Sequence, residues 1–532
     1  MSQEANSSPN MMPRTYKNAI HALNTLQSNF ATIDAARKAG QTRNHLLMPE
    51  MIEWVRRIGY KPEHFNKLNV IHVTGTKGKG STCAFVQSIL NQYRKPLVSV
   101  SSSASVKTLS GSEDDSRSFS TGSLASVTRI SKIGLYTSPH LKTVRERIMI
   151  NGKPISEELF AKYFFEIWDR LESSSSDLSI FPDMGEDIKP AYFRYLTLLS
   201  FHTFVSEGID TAIYEVGVGG EYDSTNVFEH PTACGISALG IDHTFMLGNT
   251  IEEIAWNKSG IFKPEAACFS VEQPQSAMKV IQDRFEEKNG GSFEIIKPRE
   301  DLDEIKLGID GIFQKQNASL AIALCHAHLT KLGYSIDIAD GELSPKFIRG
   351  LELAKWAGRC QIIADPKRKE KDNELTWFID GAHTKESVYN ASQWFSTASK
   401  TEAQQDNTKI LLFNQATRDP EALLKTLYDT VNEANVKFDH VIFTTNVTWS
   451  TGDYSDDLVS LNTDNSKVES LEVQTQMAQF WNTLDKKSRK HMFPSIETGV
   501  NFIRTLEGKL DVFVCGSLHL VGGFLVVMDA KK

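Results

Sequence analysis

The chain has 532 residues, more than one hydrophobic core usually serves, so two or three domains are expected. Hydrophobic residues make up 40% of the sequence and charged residues 23%, values typical of globular rather than disordered proteins. The net charge of −8 and the lack of a long basic tract argue against a general nucleic-acid or anionic-membrane binder.

Cysteine spacing and the N-terminal sequence bear on the cellular compartment. None of the six cysteines forms a C-x-x-C pair, so neither a zinc signature nor a disulfide framework is present. No apolar run is long enough to span a membrane, and the first thirty residues lack a signal-peptide core. A cytosolic protein is expected; Met11 and Met12 as later starts leave a mitochondrial pool open.

The predicted elements begin with an amphipathic stretch, residues 16–30, whose apolar spacing predicts a helix. Short β-rich runs then alternate with helical patterns, which predicts an α/β fold with parallel sheets covered by helices. The β-rich runs are NVIHV (69–73), TAIYEV (211–216), LTWFI (375–379), KILLF (409–413), HVIFT (440–444) and DVFVC (511–515).

Two polar stretches interrupt this pattern. Residues 99–131 are serine-rich without an apolar period, which predicts an exposed, mobile insertion, with a phosphorylated regulatory loop as the alternative. Near residues 341–345 the composition turns polar again, and a new strand-helix series follows. We therefore expect two domains, residues 1–343 and 344–532.

A glycine- and lysine-rich segment, TGTKGKGS (74–81), follows the first β-rich run and precedes a helical pattern that starts near Thr82. Glycines let the backbone approach oxygen atoms, and the N–H groups of a helix start bind phosphate. Lys79 would neutralise phosphate charge, and Ser81 could coordinate magnesium. The segment departs from a strict Walker motif because Gly80 follows Lys79. A glycine-rich surface turn is the alternative, but two lysines favour phosphate binding.

Polar residues also follow the later β-rich runs, at the positions where open α/β sheets bind ligands. These residues are Glu215, Asp242, His243, Asp380, His383, Ser517 and His519. A carboxylate such as Glu215 at a strand end can hold Mg²⁺ directly. Lys258 lies on a helix predicted to begin near Thr250. Each residue alone has an ordinary structural explanation, and their shared position favours one site.

A nicotinamide oxidoreductase is disfavoured, because GVGGEYDSTN after TAIYEV does not have G-x-G-x-x-G spacing. Seven segments occur in one order, namely TGTKGKGS, YTSPHL, EVGVGGEYDSTN, GIDHT, AWNKSGIFK, DGAHT and GSLHLVGG. With these segments the chain resembles the fungal folylpolyglutamate synthases, which are grouped with the Mur ligases. The resemblance runs from about residue 16 to the C-terminus and skips the serine-rich insertion. It implies an N-terminal P-loop ATPase domain of Mur-ligase type and a smaller Rossmann-like C-terminal domain.

The resemblance also implies a ligand for each part of the site. ATP binding falls to Gly75, Thr76, Lys77, Gly78, Lys79, Gly80, Ser81, Asn317, Arg359 and Asp380. Mg²⁺ is the implied cofactor, held by Ser138, Glu215 and His243, and a monovalent cation such as K⁺ is left open. Lys258, fifteen residues after His243, matches a lysine that carbon dioxide carbamylates in relatives.

The implied substrate contacts involve the loop YTSPHL and its continuation VRERI, which match a loop over the folate. They comprise Thr137, Pro139, His140 and Ser517, and the implied catalytic residues are Lys79, Lys258 and His383. His383 would steady the oxyanion or the departing phosphate. Two departures stand out, Ala357 in place of a proline and Phe313 in place of the histidine of an adenine-contacting H-Q-x-x-N segment.

The implied activity is ATP-dependent ligation of glutamate to tetrahydrofolates through an acyl phosphate, by a monomer whose partners are small molecules. The nearest alternative is dihydrofolate synthase, which more often has GG-R-x-D-A-T-N where this chain has GGEYDSTN. The second alternative is a nucleotide-binding regulator without catalysis. It is disfavoured because Lys79, Ser138, Glu215, His243 and Asp380 are all present.

Overall fold

The structure is a computed structural model. It describes residues 13–27, 44–95, 128–185, 188–336, 338, 342–368, 373–401, 404, 406–416, 418–451, 457 and 471–530. Most of the predicted serine-rich insertion, residues 99–127, lies outside this part of the chain, as does the end of the first predicted helix. The described residues form one sheet of eight strands and one of six, each covered by helices.

The first sheet has the strand order β4-β3-β2-β5-β1-β6-β7-β8. Its strands are β1 (Val70–Thr74), β2 (Ile133–Tyr136), β3 (Ile148–Ile150), β4 (Lys153–Pro154), β5 (Thr211–Glu215), β6 (Ala233–Ile236), β7 (Ala267–Val271) and β8 (Ser292–Ile296). The central strands pair in parallel, whereas β3 is antiparallel to both β2 and β4. Every residue of β1 and β5 is buried, as expected for strands covered on both faces.

Helices cover both faces of the first sheet. They are α1 (Tyr16–Thr25), α2 (Asn44–Arg57), α3 (Lys79–Asn91), α4 (Glu157–Glu172), α5 (Tyr192–Ser206), α6 (Thr244–Leu247), α7 (Ile251–Ser259), α8 (Gln275–Glu287), α9 (Gln314–Lys331) and α10 (Pro345–Leu353). Along β1, Val70 packs in the core under α1, α2, α4 and α5, and Ile71 packs in the core under α3 and α9. The alternation of the strand thus divides its side chains between two cores.

The second sheet has the order β13-β12-β11-β14-β10-β9 and is parallel except for β9. Its strands are β9 (Gln361–Ala364), β10 (Leu375–Ile379), β11 (Thr408–Phe413), β12 (His440–Thr444), β13 (Arg489–Phe493) and β14 (Leu510–Cys515). Its helices are α11 (Lys385–Ala398), α12 (Pro420–Glu433), α13 (Glu472–Leu484), α14 (Ile496–Thr505) and α15 (Leu518–Asp529). The α/β prediction, with a Rossmann-like C-terminal sheet, is confirmed.

The predicted strands agree with the observed ones to within one residue at each end, and LTWFI and HVIFT coincide with β10 and β12. The helix predicted to start near Thr82 in fact starts at Lys79, because Gly78 with φ of 88° ends the loop there. No helix in the described ranges is long and apolar enough to cross a membrane.

Helix α10 bears on where the two parts of the chain divide. Phe347 and Leu351 of this helix are fully buried in the core shared with α3 of the first sheet. A boundary at 343/344 would separate this helix from the core it completes. We therefore propose that the division follows α10, between Ala354 and Gln361.

Candidate active site

The carboxyl edges of the two sheets approach each other. Arg418, after β11, donates from Nη2 to Asp242 Oδ1, after β6, at 3.3 Å. Asp242 also lies 3.5 Å from Lys77 Nζ in the loop after β1. Burial would raise the pKa of Asp242, but Lys77, His243 and Arg418 outweigh it and hold the pKa below the usual value. One carboxylate thus links the glycine-rich loop to the second sheet.

The glycine-rich loop is shaped by close contacts with its neighbours. Its Thr76 and Lys77 amides both donate to Ala238 O, at 2.9 and 3.0 Å. A Cβ on Gly78 would lie 2.1 Å from Asn317 Oδ1, so only glycine fits there and Asn317 lies against the loop. Ser81 is buried in the first turn of α3. The predicted residues of the loop and Asn317 are therefore together in space.

Gly80, which separates Lys79 from Ser81, lies against a tryptophan side chain. A Cβ on Gly80 would lie 3.0 Å from Nε1 of Trp356, whose indole ring leans on the first turn of α3. A larger residue between Lys79 and Ser81 would push this ring away. Sequence reasoning missed Trp356, which precedes Gly358 and Arg359 on the connection between the two sheets.

Two lysine amines converge on one carbonyl oxygen. Lys79 Nζ lies 3.0 Å and Lys258 Nζ 2.8 Å from Gly75 O. Lys258 is only 3% exposed, and burial, with Lys79 adding repulsion, holds its pKa well below the usual value. A lysine with a lowered pKa carries a larger fraction of neutral, nucleophilic amine. The prediction that Lys258 belongs to the site, rather than to a solvated helix face, is consistent with this burial.

Glu215 and Ser138 are in direct contact. Ser138 N donates to Glu215 Oε2 at 3.1 Å, and Glu215 is 4% exposed at the end of β5. Burial raises the pKa of Glu215, although Lys79 and Arg359 oppose the shift. His243 begins α6 with φ of 51°, and burial lowers its pKa, with Lys79 and Lys258 adding to the shift.

The side chains around Glu215 decide whether this site fits a magnesium ion. In the described part of the chain, no three or more His, Cys, Asp or Glu side chains are grouped to hold a metal. Magnesium needs few protein ligands and prefers oxygen. Glu215 is paired with Val73, one residue before the glycine-rich loop, and its carboxylate contacts Ser138, a residue with a hydroxyl oxygen of its own. This pair fits magnesium, whereas a magnesium-ligand role for His243 stays a prediction.

The second sheet contributes Asp380, directly after β10. Asp380 is buried and accepts a hydrogen bond from Cys360 N at 2.9 Å. Burial raises its pKa, and the nearby Arg359 guanidinium opposes the shift. Arg359 therefore lies beside Asp380, although Ala357 stands where the family has proline.

His383 lies two residues beyond Gly381, on the same edge. Its Nδ1 is 2.8 Å from Gly381 O, and because a carbonyl only accepts, Nδ1 carries the proton. Burial, opposed by that hydrogen bond, lowers the pKa of His383 to about 4. The ring is thus neutral near pH 7, with the lone pair on Nε2. Such a ring accepts a proton and cannot donate to an oxyanion, so the predicted oxyanion role does not fit this geometry.

The predicted substrate residues have different surroundings. Ser517 caps α15, where its Oγ accepts from Leu520 N at 3.0 Å and keeps its own hydrogen to donate. Thr137 is buried, and Pro139 is exposed. His140 donates from Nε2 to Asp457 O at 2.8 Å and accepts at Nδ1 from Arg147. Both of its ring nitrogens have protein partners, which fix the orientation of the ring.

Glu221, which together with Ser224 distinguishes GGEYDSTN from the dihydrofolate synthase pattern, pairs with basic residues at the end of α8. It forms ion pairs with Arg284 and with Lys288, the second at 3.0 Å. The negative charge of Glu221 is therefore matched by two positively charged partners.

The C-terminal part, residues 361–527, matches a family model described as Dihydrofolate synthetase, C-terminal domain. The chain is 49% identical to a folylpolyglutamate synthase of Candida albicans over 98% of this chain and 97% of that protein. It is 50% identical to a folylpolyglutamate synthase of Saccharomyces cerevisiae, over 98% of this chain and 88% of that protein. A Mycobacterium tuberculosis folylpolyglutamate synthase complexed with ADP and AMPPCP has a TM-score of 0.62 at 19% identity, covering 97% of this chain and 100% of its own.

The fold and the glycine-rich loop define an ATP-dependent ligase of the Mur-ligase type. The sequence identity of 49–50% to the two fungal proteins, over 98% of this chain, shows which family of this class it is. The chain belongs to the folylpolyglutamate synthase family.

Proposed function

We propose that this protein acts as a tetrahydrofolate:L-glutamate γ-ligase that forms ADP and retains folates for one-carbon metabolism. It would join L-glutamate to the γ-carboxyl group of a folate's glutamate tail. The observation that carries the proposal is the convergence of Lys79 and Lys258 on Gly75 O, at 3.0 and 2.8 Å, beside buried Glu215.

The chemistry requires activation of a carboxylate, because its charge repels a nucleophile and oxide cannot leave. In the first step a γ-carboxylate oxygen attacks the γ-phosphorus of ATP, and the bond to ADP breaks. In the second step the amine of glutamate attacks the acyl carbon, and phosphate leaves with the former carboxylate oxygen. One proton is lost from the amine, and an amide forms.

The first step depends on positive charge at the glycine-rich loop. Lys79 would bind the oxygens of the transferring phosphoryl group, at the helix start where backbone N–H groups also point. Ser138 and Glu215 would hold Mg²⁺, which offsets phosphate charge when bound. Lys258, made more nucleophilic by its lowered pKa, would react with carbon dioxide to give a carbamate, an oxygen ligand in place of a cation.

The second step depends on the edge of the second sheet. His383 presents a neutral Nε2 because Gly381 O fixes its proton on Nδ1. We assign His383 the acceptance of the proton that the glutamate amine loses as the amide forms, because the lone pair on Nε2 is available for it. Ser517 keeps a hydroxyl hydrogen to donate to a glutamate carboxylate. Arg359, Asp380 and Asn317 would hold the nucleotide.

Dihydrofolate synthase remains a second candidate, because the family model that matches residues 361–527 carries that description. Glu221 does not decide between the two activities, since its side chain pairs with Arg284 and Lys288. We therefore expect Glu221→Arg to lower stability without changing which folate acceptor is used.

The test is incorporation of labelled glutamate by purified protein with ATP and Mg²⁺, offering tetrahydrofolate and dihydropteroate in parallel. Label only on longer γ-glutamyl products of tetrahydrofolate is the expected result. Label on dihydropteroate would support the second candidate, and label on neither acceptor would contradict both. A cytosolic location and a monomeric state stay predictions. Cell fractionation tests the location, and light scattering of the purified protein tests the oligomeric state.

A further inference from the structure

The start of α9 carries a buried group that the protein leaves without a partner. Gln314 is fully buried, and its Oε1 accepts from Asn317 Nδ2 at 2.9 Å. Its Nε2 has no hydrogen-bond partner. Buried N–H groups are normally satisfied, so such a donor suits a ligand acceptor. Because Asn317 lies against Gly78, this pair of amides is beside the glycine-rich loop.

The helix that carries these amides has a weak start of its own. Phe313 occupies the cap position with a helical φ of −66°, and no side chain caps the first turn. The usual capping residues Ser, Thr, Asp and Asn fix a helix start by binding its free N–H groups. The position of the first turn of α9 must therefore be set by other contacts.

One such contact comes from the other sheet. Trp394, on α11, donates from Nε1 to Asp310 Oδ2 at 2.9 Å. The other oxygen, Oδ1, accepts from Gly311 N at 2.8 Å and shapes the turn before the helix. Each oxygen of the exposed Asp310 carboxylate thus has one donor, and one of the two donors belongs to the second sheet.

Phe313 adds an apolar contact in the same direction. Its ring packs against the core of the second sheet, the core that contains Trp394 and Phe378. Trp394 is 6% exposed, and its ring centre lies 5.9 Å from that of Phe378, so its indole is held firmly. The turn before α9 therefore packs with the second sheet, while α9 packs with the first.

We propose that Trp394 is a positioning residue for the nucleotide base, acting through Asp310 and the start of α9. Its N–H holds Asp310, and this fixes the first turn of α9 so that Gln314 and Asn317 are oriented toward the adenine of ATP. An amide of Gln or Asn matches the hydrogen-bonding edge of adenine. The inference rests on the proposed function for the identity of the nucleotide.

Trp481 provides a matched control. It is buried in the same core, 1% exposed, and its Nε1 donates to Ser488 Oγ at 3.0 Å, within the second half of the chain. Trp394→Phe and Trp481→Phe each remove one indole hydrogen bond from this core. Only the bond of Trp394 reaches the segment beside the nucleotide.

The measurements are the dissociation constant for ADP by calorimetry and the KM for ATP and for glutamate. Trp394→Phe is expected to weaken ADP binding and raise the KM for ATP about five- to tenfold, as for loss of a bond to a charged group. The KM for glutamate and kcat at saturating ATP should change less than about twofold by the same reasoning. Trp481→Phe should leave all three parameters unchanged.

A second variant guards against loss of folding. Asp310→Ala alters an exposed residue and removes the acceptor of both Trp394 and Gly311, so it should weaken ADP binding at least as much as Trp394→Phe. Adding Trp394→Phe to it should cause no further loss. Unchanged ADP affinity in Trp394→Phe, or equal weakening in both tryptophan variants, would overturn the proposal. If the wild-type chain binds ADP but adds no glutamate, the proposed function fails, and the ADP constants still decide the role of Trp394.

Discussion

The carboxyl edges of the two sheets differ in chemistry. The edge of the first sheet gathers charge, with Lys79 and Lys258 at one carbonyl and Glu215 close enough for Lys79 to shift its pKa. The edge of the second sheet carries His383, neutral near pH 7, and the hydroxyl of Ser517, each fixed by a hydrogen bond to the backbone. The first edge places charge at the glycine-rich loop, and the second edge adds neutral hydrogen-bonding groups to its charged Asp380 and Arg418.

This difference assigns the two half-reactions. Phosphoryl transfer develops negative charge, which preorganised positive charge such as that of Lys79 stabilises. Attack by an amine needs a proton acceptor and correct orientation, which neutral groups provide. Substitutions at the first edge should therefore lower the rate of activation, and those at the second edge should change amine attack and its pH dependence.

Lys79→Ala tests the first edge most severely. Without this ammonium group the transferring phosphoryl loses its nearest cation, and kcat should fall by roughly three orders of magnitude. Steady-state kinetics check this, with Lys297→Ala, a change at an exposed lysine of the same half, as the control. A fall of less than tenfold would show that the charge at this edge does not carry the reaction.

Lys258→Arg separates the neutral amine from positive charge. Arginine carries a permanent positive charge and cannot form the carbamate, so kcat should fall about a hundredfold, with little change in binding of ADP. Wild-type activity should also fall in buffers stripped of carbon dioxide. Full activity of Lys258→Arg would mean that a cation suffices and that the lowered pKa of Lys258 has no part in the reaction.

His328, in the first half, shows what a buried histidine does away from the site. It lies between Thr211 and Thr232, and burial lowers its pKa to about 3. The unfolded chain binds this proton near pH 6.5 and the folded chain only near pH 3, so stability is lost as pH falls through that window. Between pH 7 and 5 this residue should account for about 2 kcal/mol.

Urea unfolding of the wild type and of His328→Gln at both pH values measures this contribution. The variant should lose less stability than the wild type on acidification, whatever its stability at pH 7. An identical pH dependence for the two proteins would show that His328 does not take up a proton on unfolding.

His383→Asn is the gentlest test, at the second edge. Loss of the proton acceptor should lower kcat about tenfold at pH 7. Because the folded pKa is about 4, the wild-type ring stays neutral well below pH 6.5, so activity that depends on it should persist at pH 5.5. Formation of the acyl phosphate, measured without glutamate as ADP release, should be unaffected. If the variant released less ADP in the absence of glutamate, His383 would instead act in the first half-reaction.

Much of the fold and part of the site could be predicted from the sequence because both follow local rules. Buried parallel strands give continuous apolar runs, and the rule that ligands bind after strands located Glu215, Asp380 and Ser517. The antiparallel strands β3 and β9 were not predicted, since three or four residues show too little of a pattern.

Contacts between distant parts of the chain could not be predicted from the sequence. Arg418 follows the strand β11 and was open to the same rule, but its partner Asp242 is 176 residues away. Trp356 lies against Gly80 only in the folded chain, 276 residues further along the sequence. The two protein partners of His140 likewise come from the folded loop, and no spacing in the sequence encodes them.

The central claim is that a folate carboxylate is activated by phosphoryl transfer before the amine attacks. The direct measurement uses tetrahydrofolate monoglutamate with ¹⁸O in its γ-carboxylate, ATP, Mg²⁺ and glutamate, and analyses the released phosphate by mass spectrometry. The account predicts one ¹⁸O atom in each phosphate and one retained in the amide. Released phosphate without ¹⁸O, alongside normal product formation, would contradict it.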